Sequence, residues 1–274
     1  MRRGWKIFWI VCGAALALGL ICCVIAFGMG VTTGMIHDRF PHGFGWHDDG
    51  WESGEEDSGR TAENIHETFS EVTEIDMEIF AGEVRFQEGD GSEIRVDTDH
   101  LSQKLGFRCY QEGRELKLTS KKKLYGVNNA GRGTITVTLP KEMTFKEVSL
   151  SLGAGTLYIE NICAKDLEVE VGAGEAIVDG FQADEAEFNC GAGTIEARGD
   201  VRSQADLKCG VGSITYTAFG QEEEYNYDIE CGIGEIICGD NSYSGLGREQ
   251  SIDNGAAKEI KIEGGVGSVI VEFE

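Results

Sequence analysis

Proline is nearly absent from this 274-residue sequence, which contains two, and basic residues are scarce. So little proline excludes collagen and proline-rich linker proteins. Lysine and arginine number 24 against 48 aspartate and glutamate residues, which gives a net charge of −24. A protein that binds nucleic acid needs a basic face to displace counterions from phosphates. We therefore predict no nucleic-acid partner.

Motifs for catalysis and cofactor binding are also missing. Of the five histidines only His66 and His100 lie beyond residue 47, and neither is in a repeated context, so no nucleophile–base–orienter set is recognisable. Gly-x-Gly pairs occur, but each precedes a strand-like run instead of the helix that a dinucleotide site requires. We predict no enzyme, no catalytic residue and no cofactor. A carbohydrate-active enzyme is the weakest alternative.

Charge is absent from residues 7–30, a run of 24 residues. A helix of that length is about 36 Å long, enough to span a bilayer with some tilt. Arg2, Arg3 and Lys6 precede the run, and the positive-inside rule places them in the cytoplasm. We predict a cytoplasmic tail at residues 1–6, a transmembrane helix at 7–30 and an extracytoplasmic C-terminal domain. The protein is then a single-pass protein of the cell membrane.

Residues 31–60 are polar, acidic and aromatic. His37, His42 and His47 recur at a regular interval beside several aspartates. Imidazole and carboxylate groups can hold zinc or copper, but the interval between these histidines fits no regular element. We interpret this segment as a flexible linker, and whether it binds a metal stays open.

Glycine is abundant, with 39 residues, and it marks a repeat. Each copy is an alternating strand, a Gly-x-Gly pair and a second short strand. The first four copies recur with a fixed period of about 19 residues, as is typical of stacked repeat proteins. The last two copies follow after longer intervals. The first glycines of the pairs are Gly153, Gly172, Gly191, Gly210, Gly232 and Gly265.

Apolar residues recur at fixed distances from these glycines, including the position between them. Alternation with period two places one face of each strand in a core, and a two-strand unit can bury that face only by stacking on neighbouring copies. We predict an all-β, single-domain β-solenoid over residues 61–274, with loops at 221–224 and 241–257. The residues between the glycines are Ala154, Ala173, Ala192, Val211, Ile233 and Val266.

An earlier copy of the template begins at Ile75, with Phe80 in place of the first glycine. Between it and the main array lie strand-like runs at residues 94–97, 115–120 and 134–139. A bare terminal coil would expose its backbone donors. We expect these runs to form hairpin strands that cap the N-terminal end of the solenoid.

Two further columns carry chemistry. Cys190, Cys209 and Cys231 each precede a Gly-x-Gly pair, in a column that faces the core; a disulfide between neighbouring coils stays possible. The outer face carries an acidic column four positions before the first glycines. We interpret this column as a strip that binds a cation such as calcium or a basic peptide, with a solvated acidic face as the alternative. Its members are Glu168, Glu187, Asp206 and Asp228.

The sequence resembles a known family in the runs EIDMEIFAGEVRF and TITVTLPKEMTFKEVSLSLGAGTLYIENI and in the coils that carry the Gly-x-Gly pairs. It is similar, from about residue 69 to 274, to the bacterial candidate-adhesin family of the toastrack β-solenoid type, whose function is undefined. The resemblance implies a β-helix-like fold on membrane-anchored proteins, often in Gram-positive envelope-stress systems. Some members are linked to sensing cationic antimicrobial peptides. The family supplies no agreed functional residues.

We expect a binding or sensory accessory module of the cell envelope, whose acidic surface attracts cationic peptides or other envelope components. The predicted cytoplasmic tail is too short to signal alone, so a lateral partner in the membrane is expected. The alternative is a surface adhesin or scaffold that binds glycan or protein. An aromatic patch would favour that alternative, and its candidates are Tyr158, Tyr216, Tyr225 and Tyr227.

Overall fold

A computed structural model describes residues 61–121, 133–141, 143–239 and 241–274. The predicted cytoplasmic tail, transmembrane helix and linker lie outside the described residues. Within those ranges no helix has the length and apolar character needed to cross a membrane. The described residues lie in one compact unit and share one hydrophobic core. Residues 61–274 therefore contain all of the core that the described residues form.

The described residues form fourteen β-strands and two short 3-10 helices, Gln103–Leu105 and Glu222–Glu224. The strands are β1 (His66–Phe69), β2 (Glu74–Gly89), β3 (Ile94–Asp99), β4 (Arg108–Glu112), β5 (Glu115–Thr119), β6 (Thr134–Pro140), β7 (Thr144–Ile159), β8 (Ile162–Cys190), β9 (Thr194–Cys209), β10 (Ser213–Ala218), β11 (Tyr225–Cys238), β12 (Asn241–Ile252), β13 (Lys258–Gly264) and β14 (Ser268–Phe273).

The coils stack in parallel, and each residue pairs with its equivalent in the next copy, which confirms the predicted solenoid. β7 pairs with β8 from Thr144↔Cys163 to Ile159↔Val178. β8 then pairs with β9 as far as Cys190↔Cys209, with register shifts between Val178 and Phe181 and between Ala183 and Glu185. Each coil has a first arm before the Gly-x-Gly pair and a second arm after it. Because equivalent residues lie side by side, the sequence columns become columns on the surface.

The three strand-like runs lie at the N-terminal end as β3, β5 and β6, although two of them are parallel to the first coil and not hairpin strands laid over it. β2 is a complete coil that pairs with β7 from Glu74↔Glu147 to Phe86↔Ile159. β5 and β6 pair in parallel with its first and second arms, and together they replace one coil. The antiparallel strands β4, β3 and β1 then cover this edge.

The C-terminal end departs from sequence order. β13 lies between β9 and β11, and β14 lies between β10 and β11. The last copy in the sequence is therefore inserted between the fourth and the fifth. We call residues 258–274 the inserted coil. The loop predicted at 221–224 contains the second 3-10 helix, but the loop predicted at 241–257 is wrong over Asn241–Ile252, which is β12 and pairs antiparallel with β11.

The Gly-x-Gly pair is a corner at which the alternation of inward and outward side chains shifts by one residue, for example from even to odd residue numbers. In one coil Leu150 and Leu152 of the first arm are buried, and so are Leu157 and Ile159 of the second, which keep a different parity. The residue between the glycines consequently points outward. The assignment of that apolar column to the core is wrong: Val211 is 63% exposed, Ile233 60% and Val266 56%.

Candidate functional site

A groove of about 680 Å³ runs past the Gly-x-Gly corners of five coils on the side of the first arms. Its outward wall is formed by the residues two positions before the first glycines. It ends with a residue of β12 that pairs with the last of them. We call this surface the acidic groove. In stacking order the wall residues are Glu170, Asn189, Lys208, Glu263, Glu230 and Glu249.

The last three wall residues of the acidic groove, in stacking order, are all glutamates. Glu263 pairs in register with Glu230, and Glu230 with Glu249. All three are exposed, and among the described side chains none of them forms an ion pair. Like charges on neighbouring strands repel one another. A cationic ligand that bridged these carboxylates would relieve that repulsion.

Lys208 lies beside this row but is engaged elsewhere. Its Nζ donates a hydrogen bond of 2.6 Å to Glu187 Oε1, on the neighbouring coil and two positions back along the arm. This contact lowers the pKa of the Glu187 carboxyl and raises the pKa of Lys208. The lysine therefore neutralises part of the predicted acidic column and also feels the charge of Glu263, but its hydrogen bond is to Glu187.

The predicted acidic column is only partly continuous. Glu187 lies in register with Asp206, and both border a smaller recess of about 190 Å³ together with Glu168. Ser149 Oγ donates a hydrogen bond of 3.2 Å to Glu168 Oε2. Burial raises the pKa of Asp206, although Gln204 donates hydrogen bonds to its carboxylate. Three of the four residues therefore share one surface.

The fourth residue, Asp228, is separated from the others by a lysine. The inserted coil places Lys261 between Asp206 and Asp228, in register with each. The expected uninterrupted row of four carboxylates is therefore wrong, because that row assumed that coils stack in sequence order. Lys261 also donates a hydrogen bond of 3.2 Å to Gln204 Oε1, so its charge lies on the same face as the column.

The pairing of Lys208 with Glu187 gives a testable pH dependence. The lowered pKa of Glu187 means that this pair stabilises the fold above the unfolded-state pKa and loses that effect as pH falls through the folded-state value. Both side chains are more than a third exposed, so the contribution is below about 1 kcal/mol. In Lys208→Gln we expect the pKa of Glu187 to rise towards its usual range, measured by NMR titration. An unchanged pKa would contradict this pairing in solution.

The cysteine column faces the core, as predicted. Cys190, Cys209 and Cys231 are buried free thiols, and burial raises the pKa of Cys209. Cys190 pairs in register with Cys209, but Gly264 of the inserted coil lies between Cys209 and Cys231. No histidine, cysteine and carboxylate groups in the described ranges are arranged for a metal ion.

The tyrosines proposed for an adhesive patch are mostly internal. Tyr216, Tyr225 and Tyr227 are buried, and Tyr216 packs 5.8 Å from the Phe181 ring centroid. Tyr158 lies on the surface, where its hydroxyl hydrogen-bonds to Asp179. These four residues therefore form no common aromatic surface.

Sequence reasoning missed an exposed aliphatic row, which we call the apolar ridge: Val211, Val266 and Ile233. The backbone nitrogen of Val266 donates to Gly210 O at 2.7 Å, and that of Ile233 donates to Gly265 O at 2.7 Å. The three residues therefore occupy one corner position in consecutive coils. A usable signal was present, since the residue between the glycines changes from alanine to valine and isoleucine along the repeat.

The chain matches one family model and is similar in fold to several solved structures. The family model Toastrack DUF4097 matches residues 72–236. No curated protein matches the chain. Among solved structures, a candidate cell adhesion protein from Clostridium sporogenes has a TM-score of 0.44 and 13% identity, covering 77% of this chain and 100% of that chain.

Two other solved structures are similar in coverage. A candidate adhesin from Bacteroides fragilis has a TM-score of 0.32 and 16% identity, covering 76% of this chain and 96% of its own. A candidate lipid-binding protein from Parabacteroides distasonis has a TM-score of 0.27 and 17% identity, with the same coverage of 76% and 96%. Likenesses at this level carry no functional information about the present chain.

Proposed function

The chain belongs to the Toastrack DUF4097 family, and from that premise we propose that it is a binding module of the bacterial cell envelope whose acidic groove captures cationic peptides. The observation that carries the proposal is the row of Glu263, Glu230 and Glu249, exposed in the groove and without ion-pair partners among the described side chains. A peptide ammonium or guanidinium group is the complementary ligand.

The net charge of the folded unit supports a cationic partner. Residues 1–60 hold five basic and seven acidic residues, and removing them from the totals of 24 and 48 leaves 19 and 41. The unit from residue 61 onward therefore carries a charge of −22. Such a field raises the association rate of basic peptides and is screened by salt.

The placement of this module at a membrane remains part of the proposal. The uncharged run at residues 7–30 would hold it outside the cell. We include a second membrane protein as the partner that receives the signal laterally. A cationic antimicrobial peptide in the envelope would then be the stimulus.

Calorimetric titration of residues 61–274 with a twelve-residue lysine homopeptide tests the groove. We expect saturable binding that weakens about tenfold when the groove is neutralised by Glu170→Gln, Glu230→Gln, Glu249→Gln and Glu263→Gln. The matched control neutralises four carboxylates outside the groove wall by Asp166→Asn, Glu168→Gln, Asp206→Asn and Asp228→Asn, keeps the contact between Glu187 and Lys208, and should weaken binding less. The two variants lose the same charge, so equal losses would show that net charge, and not the groove, attracts the peptide.

A further inference from the structure

We propose that the apolar ridge is a recognition element for aliphatic side chains, so that the preferred ligand of the acidic groove is a peptide that is both cationic and amphipathic. This inference rests on the proposed function and adds a selectivity that charge alone cannot supply. Its occupant is a peptide segment that presents basic residues to the groove and aliphatic residues to Val211, Val266 and Ile233.

The fold itself does not require large residues on the ridge. The same corner position holds Ala154, Ala173 and Ala192 in three preceding coils, and those coils keep the same stacking register. The valines and the isoleucine are each more than half exposed, so they contribute little to the core. These side chains therefore present their apolar surface to solvent, where a ligand can cover it.

The inserted coil makes the ridge continuous. Val211 and Ile233 belong to copies that follow each other in sequence, but they are separated in space by one coil. Val266 fills this position. Neighbouring strands are about 4.8 Å apart, so the three side chains form an unbroken aliphatic surface about 10 Å long. A surface of this length suits two or three aliphatic side chains of one ligand.

The ridge directly borders the acidic groove. The glycines that precede its three residues, Gly210, Gly265 and Gly232, line the groove together with Glu263 and Glu230. Along these three coils the groove wall holds Lys208, whose ammonium group is hydrogen-bonded to Glu187, followed by the exposed carboxylates of Glu263 and Glu230. The apolar ridge therefore runs beside an anionic surface in the last two of these coils. Only a ligand with an apolar side and a cationic side can satisfy both at once.

Charge also argues against other occupants. A second copy of this unit would bring another acidic groove against the first, and like charges placed together oppose association. An anionic lipid surface would be repelled for the same reason. A basic peptide gains from the electrostatic attraction and from covering the exposed aliphatic side chains.

Two peptides of equal charge separate this inference from the proposed function. One is the lysine homopeptide used above, and the other is a peptide that alternates leucine with the same number of lysines. Calorimetry on residues 61–274 should show about tenfold tighter binding of the alternating peptide. The ridge variant Val211→Ser, Val266→Ser, Ile233→Ser should remove this difference and leave the binding of the homopeptide unchanged.

A matched control uses the same column at the other end of the solenoid. The variant Ala154→Ser, Ala173→Ser, Ala192→Ser should keep the full preference for the alternating peptide. Equal binding of both peptides by the unmodified protein would overturn the ridge inference and leave the proposed function standing. Failure of both peptides to bind would overturn both.

Two further measurements identify a different occupant. Sedimentation velocity should show the same monomeric species for the unmodified protein and the ridge variant. A dimer that disappears in the ridge variant would assign the ridge to self-association and overturn the inference. Flotation with phosphatidylcholine vesicles should show no binding; vesicle binding that depends on the ridge would assign the surface to lipid instead.

Discussion

Replacing Gly212 by alanine should destabilise the solenoid by about 3 kcal/mol or more. A Cβ at Gly212 would collide with the carbonyl oxygen of Gly193 in the preceding coil and would approach Cys190 Sγ at 3.0 Å. The obstacle is backbone of a coil that is itself held by neighbours, so it cannot move without shifting the stack. Thermal unfolding should show a fall in Tm of about 10 °C for a unit of this size.

Gly91→Ala is the matched control for this substitution. The nearest atoms to a Cβ at Gly91 are 3.8 Å and 3.9 Å away, in ordinary contact. We expect its Tm to stay within about 2 °C of the unmodified protein, because small surface changes alter stability by about 0.5 kcal/mol or less. Equal melting temperatures for the two variants would show that the corner can open to admit a side chain.

Removing the inserted coil should have the largest effect on the molecule. A protein that ends at residue 257 loses four buried aliphatic residues, Ile260, Ile262, Val269 and Val271. Each contributes about 1.5–3 kcal/mol by burial, which together approaches the whole stability of a typical domain. The truncation also leaves β11 without its two parallel partners, β13 and β14, and exposes unpaired edges on β9 and β10.

Hydrogen exchange measures this effect segment by segment. In the truncated protein we expect loss of amide protection in β11 and β12, whereas β7 keeps its protection because its neighbours β2 and β8 are unchanged. Adding a synthetic peptide of residues 258–274 should restore protection of β11. The same peptide with Ile262→Asp should not. Full protection of β11 in the truncated protein would mean that the inserted coil is dispensable.

The strength of the repeat explains why so much of the fold could be predicted. A constant spacing between copies, apolar columns and recurring glycines are all local properties of the sequence, and the stacked pairs such as Leu150↔Val169 follow directly from them. The membership in a toastrack family followed from the same residues. The parts that depend only on nearest neighbours were therefore correct.

The order of the last coils could not be predicted, because it is not a local property. Residues 241–257 look like a long loop between Gly232 and Gly265, yet most of them form a strand that reverses direction and lets the chain return to the vacant position. No periodicity in the sequence distinguishes addition at the end of the stack from insertion within it. The error in placing Asp228 beside Asp206 follows from this single fact.

The apolar ridge was missed for a different reason. Period-two alternation assumes a straight strand, and the Gly-x-Gly corner interrupts it, so an apolar residue such as Val266 falls on the inward parity and yet points outward. Glycine at Gly212 is required by the close approach of two backbones, which reveals the corner only once the coils are stacked. The exposed fraction of Val266 was accessible only from the structure.

The position of residues 258–274 also sets an order for folding. The strands β9, β10 and β11 complete their pairing only after this coil has been synthesised, because it lies between them. Until then their facing edges are unpaired, and unpaired edges are sites at which other chains can add. A chain that stops at residue 257 would keep these edges open.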